Sequence, residues 1–147
     1  MKIHLGADHA GFELKAALNI FLKEKGHVVT DHGAFEYDPL DDYPDFIFPC
    51  ARAVAEDSSS RGIILGGSGQ GEAMAANRVP GIRAAVYYNG PQEIVILSRK
   101  HNDANILSLG ARFLSQDKIF QVIEIWLLEP YEGGRHQSRI KKLDRNN

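Results

Sequence analysis

The sequence has little cysteine, no excess of charge of one sign and no long hydrophobic run. Its 147 residues include one cysteine, Cys50, which excludes an intramolecular disulfide and a metal site built from several cysteines. Cys50 lies in an apolar helical stretch, so we expect a buried, inert thiol. The formal net charge is −2, whereas proteins that bind nucleic acids in general carry a basic excess. The sequence therefore predicts no nucleic-acid partner.

No apolar run approaches the length of a membrane span, and the chain starts with strand-like sequence rather than a signal-peptide core. We therefore expect a cytoplasmic protein with no membrane partner. Apolar residues make up 44% of the chain, which is enough for a sizeable core. Residues 1–147 are predicted to form one globular domain.

Strand-like and helix-like segments alternate along the chain. The predicted strands are Lys2–Ala7, His27–Thr30, Gly62–Leu65, Arg83–Tyr88 and Ile106–Leu109. The predicted helices are Gly11–Lys25, Tyr43–Glu56, Glu72–Asn77, Pro91–Arg99 and Gln116–Leu128, followed by a basic helical tail after Gly133-Gly134. This alternation is typical of a doubly wound, Rossmann-like α/β fold with a five-stranded parallel sheet. In such folds, ligands bind at the carboxyl ends of the strands.

A glycine-rich loop directly follows the third predicted strand and leads into a helix. It reads Gly66-Gly67-Ser68-Gly69-Gln70-Gly71-Glu72. Glycines let backbone N–H groups turn toward an anion, and a helix N-terminus adds unpaired N–H groups and the positive end of a dipole. The loop lacks the lysine of a P-loop, and the third glycine of the dinucleotide-binding motif is replaced by Glu72. The segment therefore predicts a phosphate or oxyanion site with a carboxylate beside it.

Glu72 has two interpretations at this level. A carboxylate in the first turn of a helix complements the helix dipole, which is worth less than about 1 kcal/mol. The same carboxylate beside an anion-binding loop can instead act as a general base. The loop sequence alone favours neither interpretation over the other.

Three further polar clusters lie at strand ends or just after helices, where we expect such a fold to gather its site. They are Asp8-His9, His101-Asn102-Asp103, and Arg135-His136 with Arg139, and Arg112 follows the fifth strand. Each is also ordinary in turns and helix ends. The histidines show no His-x-x-x-His spacing on a helix, so no metal site is predicted. Together with Ser68, the clusters suit proton transfer next to the carbonyl of a phosphorylated substrate.

The chain resembles the type B ribose-5-phosphate isomerases and their galactose-6-phosphate isomerase relatives. The matching segments follow the family's order and cover nearly the whole chain: Gly6–Phe12 with Leu14-Lys15, Asp42-Tyr43-Pro44, Gly67–Glu72 with Ala75–Arg78, Gly81–Ala84, His101–Leu107 and Gly133–His136. The resemblance implies interconversion of aldose and ketose phosphates through an enediolate, without a metal or organic cofactor. It also implies a homodimer or a dimer of dimers, with active sites at the subunit interface.

The resemblance also implies a role for individual residues. His101 would assist ring opening with Asp8 nearby, and Asn102 would contact sugar hydroxyls. The substrate oxygen on which charge develops would be held by Ser68 and the amides of Gly67, Gly69 and Gly71. The phosphate would be held by His9, Arg112, Arg135 and Arg139.

One position departs from many members of the family. They place a cysteine base at the end of the third strand, where this sequence has Gly66, while others use a glutamate at the position of Glu72. The sequence is similar to the glutamate subtype, so Glu72 is predicted to be the base. Cys50 does not align with the cysteine base.

The predicted reaction is the interconversion of ribose 5-phosphate and ribulose 5-phosphate. Two alternatives stay open at this stage. One is an isomerase of a six-carbon sugar phosphate, such as galactose 6-phosphate or allose 6-phosphate, since pocket length is not readable from sequence. The other is a non-catalytic sugar-phosphate-binding module. The carboxylate of Glu72 argues against the module, because phosphate binding gains nothing from a nearby negative charge.

Overall fold

The computed structural model describes residues 1–145, which form a parallel sheet with helices on both faces; the last two residues of the predicted 1–147 domain lie outside this range. The strands are β1 Lys2–Ala7, β2 Val28–Asp31, β3 Arg61–Gly66, β4 Ala84–Tyr87 and β5 Ile106–Gly110. The helices are α1 Phe12–Glu24, α2 Pro44–Glu56, α3 Gln70–Ala76, α4 Glu93–Lys100, α5 Gln116–Leu128 and α6 Arg135–Asp144, with a 3₁₀ turn at His9–Gly11. The five-stranded, doubly wound α/β fold with a helical tail is confirmed.

The sheet has the order β2-β1-β3-β5-β4, and all four strand pairs are parallel. The chain leaves β1 toward β2 and then returns across β1 to β3. Connections therefore diverge above the carboxyl ends of β1 and β3, which is where open parallel sheets form a crevice for ligands. Gly11 lets the turn after β1 close against β3, since a Cβ there would lie 2.6 Å from the Leu65 Cβ.

Successive residues of the strands point alternately into two hydrophobic cores, as the period of a strand requires. In β3, Ile63 and Leu65 pack with the core under α1, α4 and α5, whereas Ile64 packs with α2 and α3. Cys50 is fully buried in the second core, and burial raises the pKa of its thiol. The expectation of a buried cysteine is confirmed, and its high pKa keeps the thiol protonated.

The helix boundaries differ from the predicted ones by a few residues, for local reasons. α3 starts at Gln70, two residues earlier than predicted, because Gly69 adopts a left-handed conformation with φ of 77° and turns the chain directly into the helix. The predicted cap of α5 is confirmed, since the Ser115 hydroxyl accepts from the Lys118 N–H at 3.3 Å. None of the helices in residues 1–145 is long and apolar enough to span a membrane.

α1 buries a lysine that fixes the approach to the crevice. Lys15 is 2% exposed, and its ammonium group donates to both carboxylate oxygens of Asp31 at 2.5 and 2.7 Å and to the Ala34 carbonyl at 2.8 Å. A buried charge is tolerated when it is paired and hydrogen-bonded in this way. The interaction ties α1 to the end of β2 and to the start of the loop that carries Asp41.

Candidate active site

The glycine-rich loop joins the end of β3 to the start of α3, and it is held from behind by β5. The carbonyl of Gly69 accepts from the Ala73 N–H at 3.2 Å and from the Ser108 hydroxyl at 2.6 Å. Ser108 is fully buried on β5. The backbone N–H groups at the N-terminus of α3 are therefore presented from a loop with a fixed conformation, as an anion site requires.

The carboxylate of Glu72 lies over the end of β3. A Cβ built on Gly66 would come within 1.9 Å of Glu72 Oε1, so the carboxylate occupies the space that a side chain at position 66 would take. Glu72 is 4% exposed, and burial raises the pKa of its carboxyl. The negative charge of Asp8 raises this pKa further, while a hydrogen bond with the backbone N–H of Glu72 itself opposes the shift. A buried carboxylate with a raised pKa is a stronger proton acceptor than an exposed one.

Asp8 and His9 follow β1 on the same edge of the sheet. The Asp8 carboxylate, which is largely buried, accepts from the backbone N–H groups of Ala10 at 3.0 Å and Gly11 at 3.4 Å. His9 places its Nδ1 2.6 Å from a carboxylate oxygen of Asp41, and the same oxygen accepts from the His9 backbone N–H at 3.1 Å. Because Nδ1 is held by Asp41, Nε2 is the ring nitrogen that a ligand can contact.

Side chains from other elements pack directly on two of the loop glycines. A Cβ on Gly67 would meet the Arg112 guanidinium at 3.1 Å, and a Cβ on Gly71 would meet the ring of Tyr43 at 2.8 Å. Arg112 follows β5 and is exposed, so its guanidinium adds positive charge beside the loop amides. The two glycines are thus required by close approach, and the edge gains a cation suited to phosphate.

The structure brings most of the predicted residues together at this edge, which we call the carboxyl edge. It gathers them at the ends of β1, β3 and β5: Asp8, His9, Gly67, Ser68, Gly69, Gly71, Glu72 and Arg112. The hydroxyl oxygen of Ser68 accepts from the Gln70 N–H at 3.3 Å. A buried carboxylate, a hydroxyl, backbone amides and an arginine are therefore gathered at one edge of the sheet.

The remaining predicted residues, His101, Asn102, Arg135 and Arg139, lie at the opposite edge, which we call the amino edge. α4 runs antiparallel to the strands, so His101 at its end lies level with the starts of β3 and β5. These two strand starts are joined by a hydrogen bond from the Gly62 N–H to the backbone carbonyl of Asn105. This corrects the expectation that one chain gathers all the clusters at the carboxyl ends of the strands. Within one chain, His101 and Asp8 lie on opposite edges of the sheet.

At the amino edge, α6 packs against the end of α4. The rings of His101 and His136 stack with centroids 4.2 Å apart and planes inclined by 11°, and Glu132 Oε2 lies 3.9 Å from His101 Nε2. Arg139 Nη1 lies 3.4 Å from His136 Nδ1. Burial and the positive neighbours of His136, led by His101, lower the pKa of that imidazole. The tail therefore presents cationic groups next to His101.

Within residues 1–145, two groups of side chains have the donor types of a metal site. They are His101, Glu132 and His136 at the amino edge, and Asp8, His9 and Asp41 at the carboxyl edge. In the first group one ligand atom from each residue lies within 4.8 Å of the other two, and the two imidazole rings are stacked. In the second group His9 Nδ1 is already occupied by Asp41.

The sequence also matches known proteins. A profile of the Ribose/Galactose Isomerase family matches residues 3–143. The chain belongs to this family.

Relatives in the ribose/galactose isomerase family align along almost their whole length. The chain is 42% identical over 144 residues to ribose-5-phosphate isomerase B of Mycolicibacterium paratuberculosis, covering 97% of this chain and 89% of that protein. It is 39% identical over 142 residues to the Escherichia coli protein of the same name, covering 97% and 93%. The structure of ribose-5-phosphate isomerase B from Mycoplasma genitalium with bound ribulose-5-phosphate has a TM-score of 0.94 and 38% identity, covering 99% of this chain and 95% of that one.

Three residues at the two edges were not predicted from the sequence, and all of them lie in the part of the chain that matches the family. Asp41 orients His9, Ser108 holds the loop, and Glu132 lies beside His101. Ser108 gave a readable signal, because a hydroxyl between two leucines of a buried strand needs a hydrogen-bond partner. Asp41 gave none, since it is one of several acids in a polar loop.

Proposed function

We propose that this chain interconverts ribose 5-phosphate and ribulose 5-phosphate through an enediolate, with Glu72 as the base and residues 1–147 acting as one domain. The proposal of the base rests on one observation. The carboxylate of Glu72 fills the space in front of Gly66 at the end of β3, where it is buried beside the anion-binding loop. Complementing a helix dipole does not by itself require a carboxylate to be buried, whereas a base in an enclosed site does. The family and its named relatives support the reaction.

The proposed step moves a proton between adjacent carbons. Glu72 removes the proton from the carbon next to the aldehyde, and the resulting enediolate carries negative charge on oxygen. The hydroxyl of Ser68 and the amides of Gly67, Gly69 and Gly71 donate to that oxygen, and a donor of this kind is worth about 3–4 kcal/mol. The protonated Glu72 then returns the proton to the former aldehyde carbon. The proton on the neighbouring hydroxyl oxygen passes to the former aldehyde oxygen, so that the neighbouring carbon becomes the carbonyl of the ketose. No metal or organic cofactor takes part in this proposal.

We propose that the phosphate and the ring-opening groups come from two subunits of a homodimer, alone or within a dimer of dimers. Arg112 and His9 stand at the carboxyl edge, whereas His101, Asn102, Arg135 and Arg139 stand at the amino edge. A second chain that presents its amino edge to this crevice would bring these groups beside Asp8 and Glu72. Paired guanidinium groups repel each other unless an anion lies between them, and a phosphate dianion provides one.

A doubly charged sugar phosphate does not cross a bilayer unaided, because moving an unpaired charge into hydrocarbon is costly. We therefore propose that the enzyme works in the cytoplasm, where its substrate is retained. The binding energy of the phosphate positions the reacting carbons against Glu72, which is how a remote charged group contributes to catalysis.

The test replaces Glu72 by glutamine and follows ribose 5-phosphate by NMR in deuterated water. We expect kcat to fall by roughly two to four orders of magnitude, and the rate of deuterium incorporation at the carbon next to the carbonyl should fall in parallel. Glu93→Gln is the matched control, because Glu93 is an exposed acidic residue in the first turn of α4. Near-normal turnover of Glu72→Gln would exclude this residue as the base. Parallel incubations with galactose 6-phosphate and allose 6-phosphate test the six-carbon alternatives.

A further inference from the structure

A small polar cavity opens at the amino edge of the sheet, beside the starts of β3 and β4. Its volume is about 210 Å³, and its polar lining is formed by Ser58, Arg61, Arg83, Asp103 and Asn105. None of the residues assigned to the proposed reaction lines it. Sites for drug-sized ligands are generally about 300–1,000 Å³, so a cavity of this size suits an ion or a single phosphoryl group.

Two arginines, Arg61 and Arg83, line this cavity, and a third, the buried Arg99, pairs with the lining residue Asp103. Asp103 is shared by two of them, with Oδ2 3.0 Å from Arg83 Nη2 and Oδ1 2.8 Å from Arg99 Nη1. Arg83 also lies 3.5 Å from a carboxylate oxygen of Asp144. Within residues 1–145, no carboxylate lies at ion-pair distance from Arg61. The positive charge at the cavity is therefore not fully balanced.

The Arg61 guanidinium also has unused hydrogen-bonding capacity. A guanidinium carries five N–H donors, and the one side-chain hydrogen bond of Arg61 in the described part of the chain goes to the Ser60 carbonyl at 2.9 Å. Arg61 is partly buried, and burial followed by the charges of Arg99 and Arg83 lowers the pKa of its guanidinium, while Asp103 opposes this. A partly desolvated cation with unused N–H donors and no carboxylate at ion-pair distance gains most from a bound anion.

We propose that this cavity is a second anion-binding site, which takes a small dianion of the phosphate class between Arg61 and Arg83, with the Ser58 hydroxyl as an additional donor. Asp103, the carboxylate among the lining residues, is already paired with Arg83 and Arg99, so the charge of Arg61 can pair with the ligand. The planar fork of a guanidinium matches two oxygens of a phosphoryl group. The site is separate from the glycine-rich loop and does not depend on the proposed reaction.

The experiment is an NMR titration of the full chain with inorganic phosphate. The amides of Gly81 and Asn105 report on the cavity, and the amides of Gly67 and Gly69 report separately on the loop. We expect saturable shifts at Gly81 and Asn105 that Arg61→Gln weakens by about tenfold or more, since a charge-assisted bidentate contact is lost. Arg61→Lys, which keeps the charge but not the fork, should give intermediate affinity.

Arg52→Gln is the matched control, because Arg52 is exposed on α2 and packs over the ring of Phe48, so the same charge is removed outside the cavity. It should leave the shifts unchanged, and thermal unfolding checks that every variant is folded. Equal affinity in folded Arg61→Gln, or no saturable shift at Gly81 and Asn105 in the parent protein, would overturn the proposal. A parallel titration with glycerol 3-phosphate identifies the source of the ligand: saturation of the same amides supports the terminal phosphate of a metabolite, and binding of inorganic phosphate alone supports the free ion.

Discussion

At the scale of single residues, the site depends on the pairing of Gly66 with Glu72. The absence of a side chain at position 66 leaves room for the carboxylate at the end of β3. Enclosure there raises the pKa of Glu72 through desolvation, and the nearby Asp8 adds charge repulsion. A general base is most effective when its pKa approaches the operating pH, so this environment suits the proposed role.

Gly66→Ala tests whether the empty space at position 66 matters. The added Cβ would lie 1.9 Å from Glu72 Oε1, so we expect the carboxylate to be displaced and kcat to fall by at least about tenfold. The measurement is a double-mutant cycle with Glu72→Gln. If Gly66→Ala acts by moving the carboxylate, it should cost little further activity once Glu72 is already glutamine. Full additivity of the two losses would contradict this explanation.

The proposed role of Glu72 as the base predicts how the reaction depends on pH. A base must be ionised, so kcat/KM should fall as the pH drops through the pKa of Glu72. Because that pKa is raised, the fall should begin at a higher pH than for an ordinary glutamate. Asp8→Asn removes one cause of the shift and should move the acidic limb to lower pH. Its side-chain oxygen can still accept from the Ala10 N–H, which preserves the turn.

The resemblance to the family also implies that Asp8 lies near the histidine that assists ring opening, so we expect the Asp8→Asn variant to lose rate as well. The position of the limb, rather than the rate, is therefore the diagnostic quantity. Direct titration of the Glu72 carboxyl carbon by NMR gives the pKa without turnover. An acidic limb that stays in place or moves to higher pH would contradict the electrostatic coupling of Asp8 to Glu72.

At the scale of elements, the glycine-rich loop is positioned by the strand next to β3. The Ser108 hydroxyl from β5 and the first turn of α3 both donate to the Gly69 carbonyl. Gly69 has a φ of 77°, a conformation that a glycine adopts readily, and the two hydrogen bonds select it. The register that places Ser108 opposite Ile64 thus transmits the geometry of the sheet to the anion site.

Ser108→Ala tests this positioning role. Removal of the hydroxyl takes one of two donors from the Gly69 carbonyl, and we expect a loss of about 1–3 kcal/mol in the free energy of unfolding. Ser98→Ala is the matched control, since Ser98 is also a buried serine, whose hydroxyl donates to the Val95 carbonyl at 2.7 Å. Both variants should lose stability, but only Ser108→Ala should lower kcat by about tenfold. Equal kcat values in the two variants would assign Ser108 a structural role only.

At the scale of the whole molecule, the proposed catalytic groups are divided between the two edges of one sheet. Glu72 and Asp8 lie at the carboxyl edge, and His101, Arg135 and Arg139 lie at the amino edge. Gly133 and Gly134 have φ angles of 68° and 57°, so the backbone turns at these glycines before α6 begins and packs beside α4. One subunit does not hold both halves of the proposed site together, whereas two subunits can.

A mixed dimer distinguishes a shared site from a site within one chain. Glu72→Gln and Arg139→Ala chains should each be nearly inactive alone. In a heterodimer with shared sites, both lesions fall in one site and the other site is intact, so activity should return to about half of the parent value per heterodimer. The measurement is turnover of ribose 5-phosphate by heterodimers purified with two different affinity tags. Absence of recovery would mean that the tail serves its own subunit.

The sequence by itself determined the fold class and the residues of the carboxyl edge. Alternating apolar strands and amphipathic helices predict a doubly wound sheet, and the loop from Gly66 to Glu72 predicts an anion site because glycine spacing and a helix start are local properties. The sequence also indicated a buried Cys50 from its apolar surroundings.

Only the tertiary structure decided the distances on which the chemistry depends. Strand order and packing, which have no local signature in the sequence, place Glu72 over Gly66. They also bring Ser108 within hydrogen-bond distance of Gly69, 39 positions away, and let Asp41 orient His9. The separation of His101 from Asp8 follows from the antiparallel direction of α4, because the C-terminal end of this helix, which His101 directly follows, lies at the far edge of the sheet. Sequence proximity to a strand indicates a site, but the direction of the chain decides which edge that residue reaches.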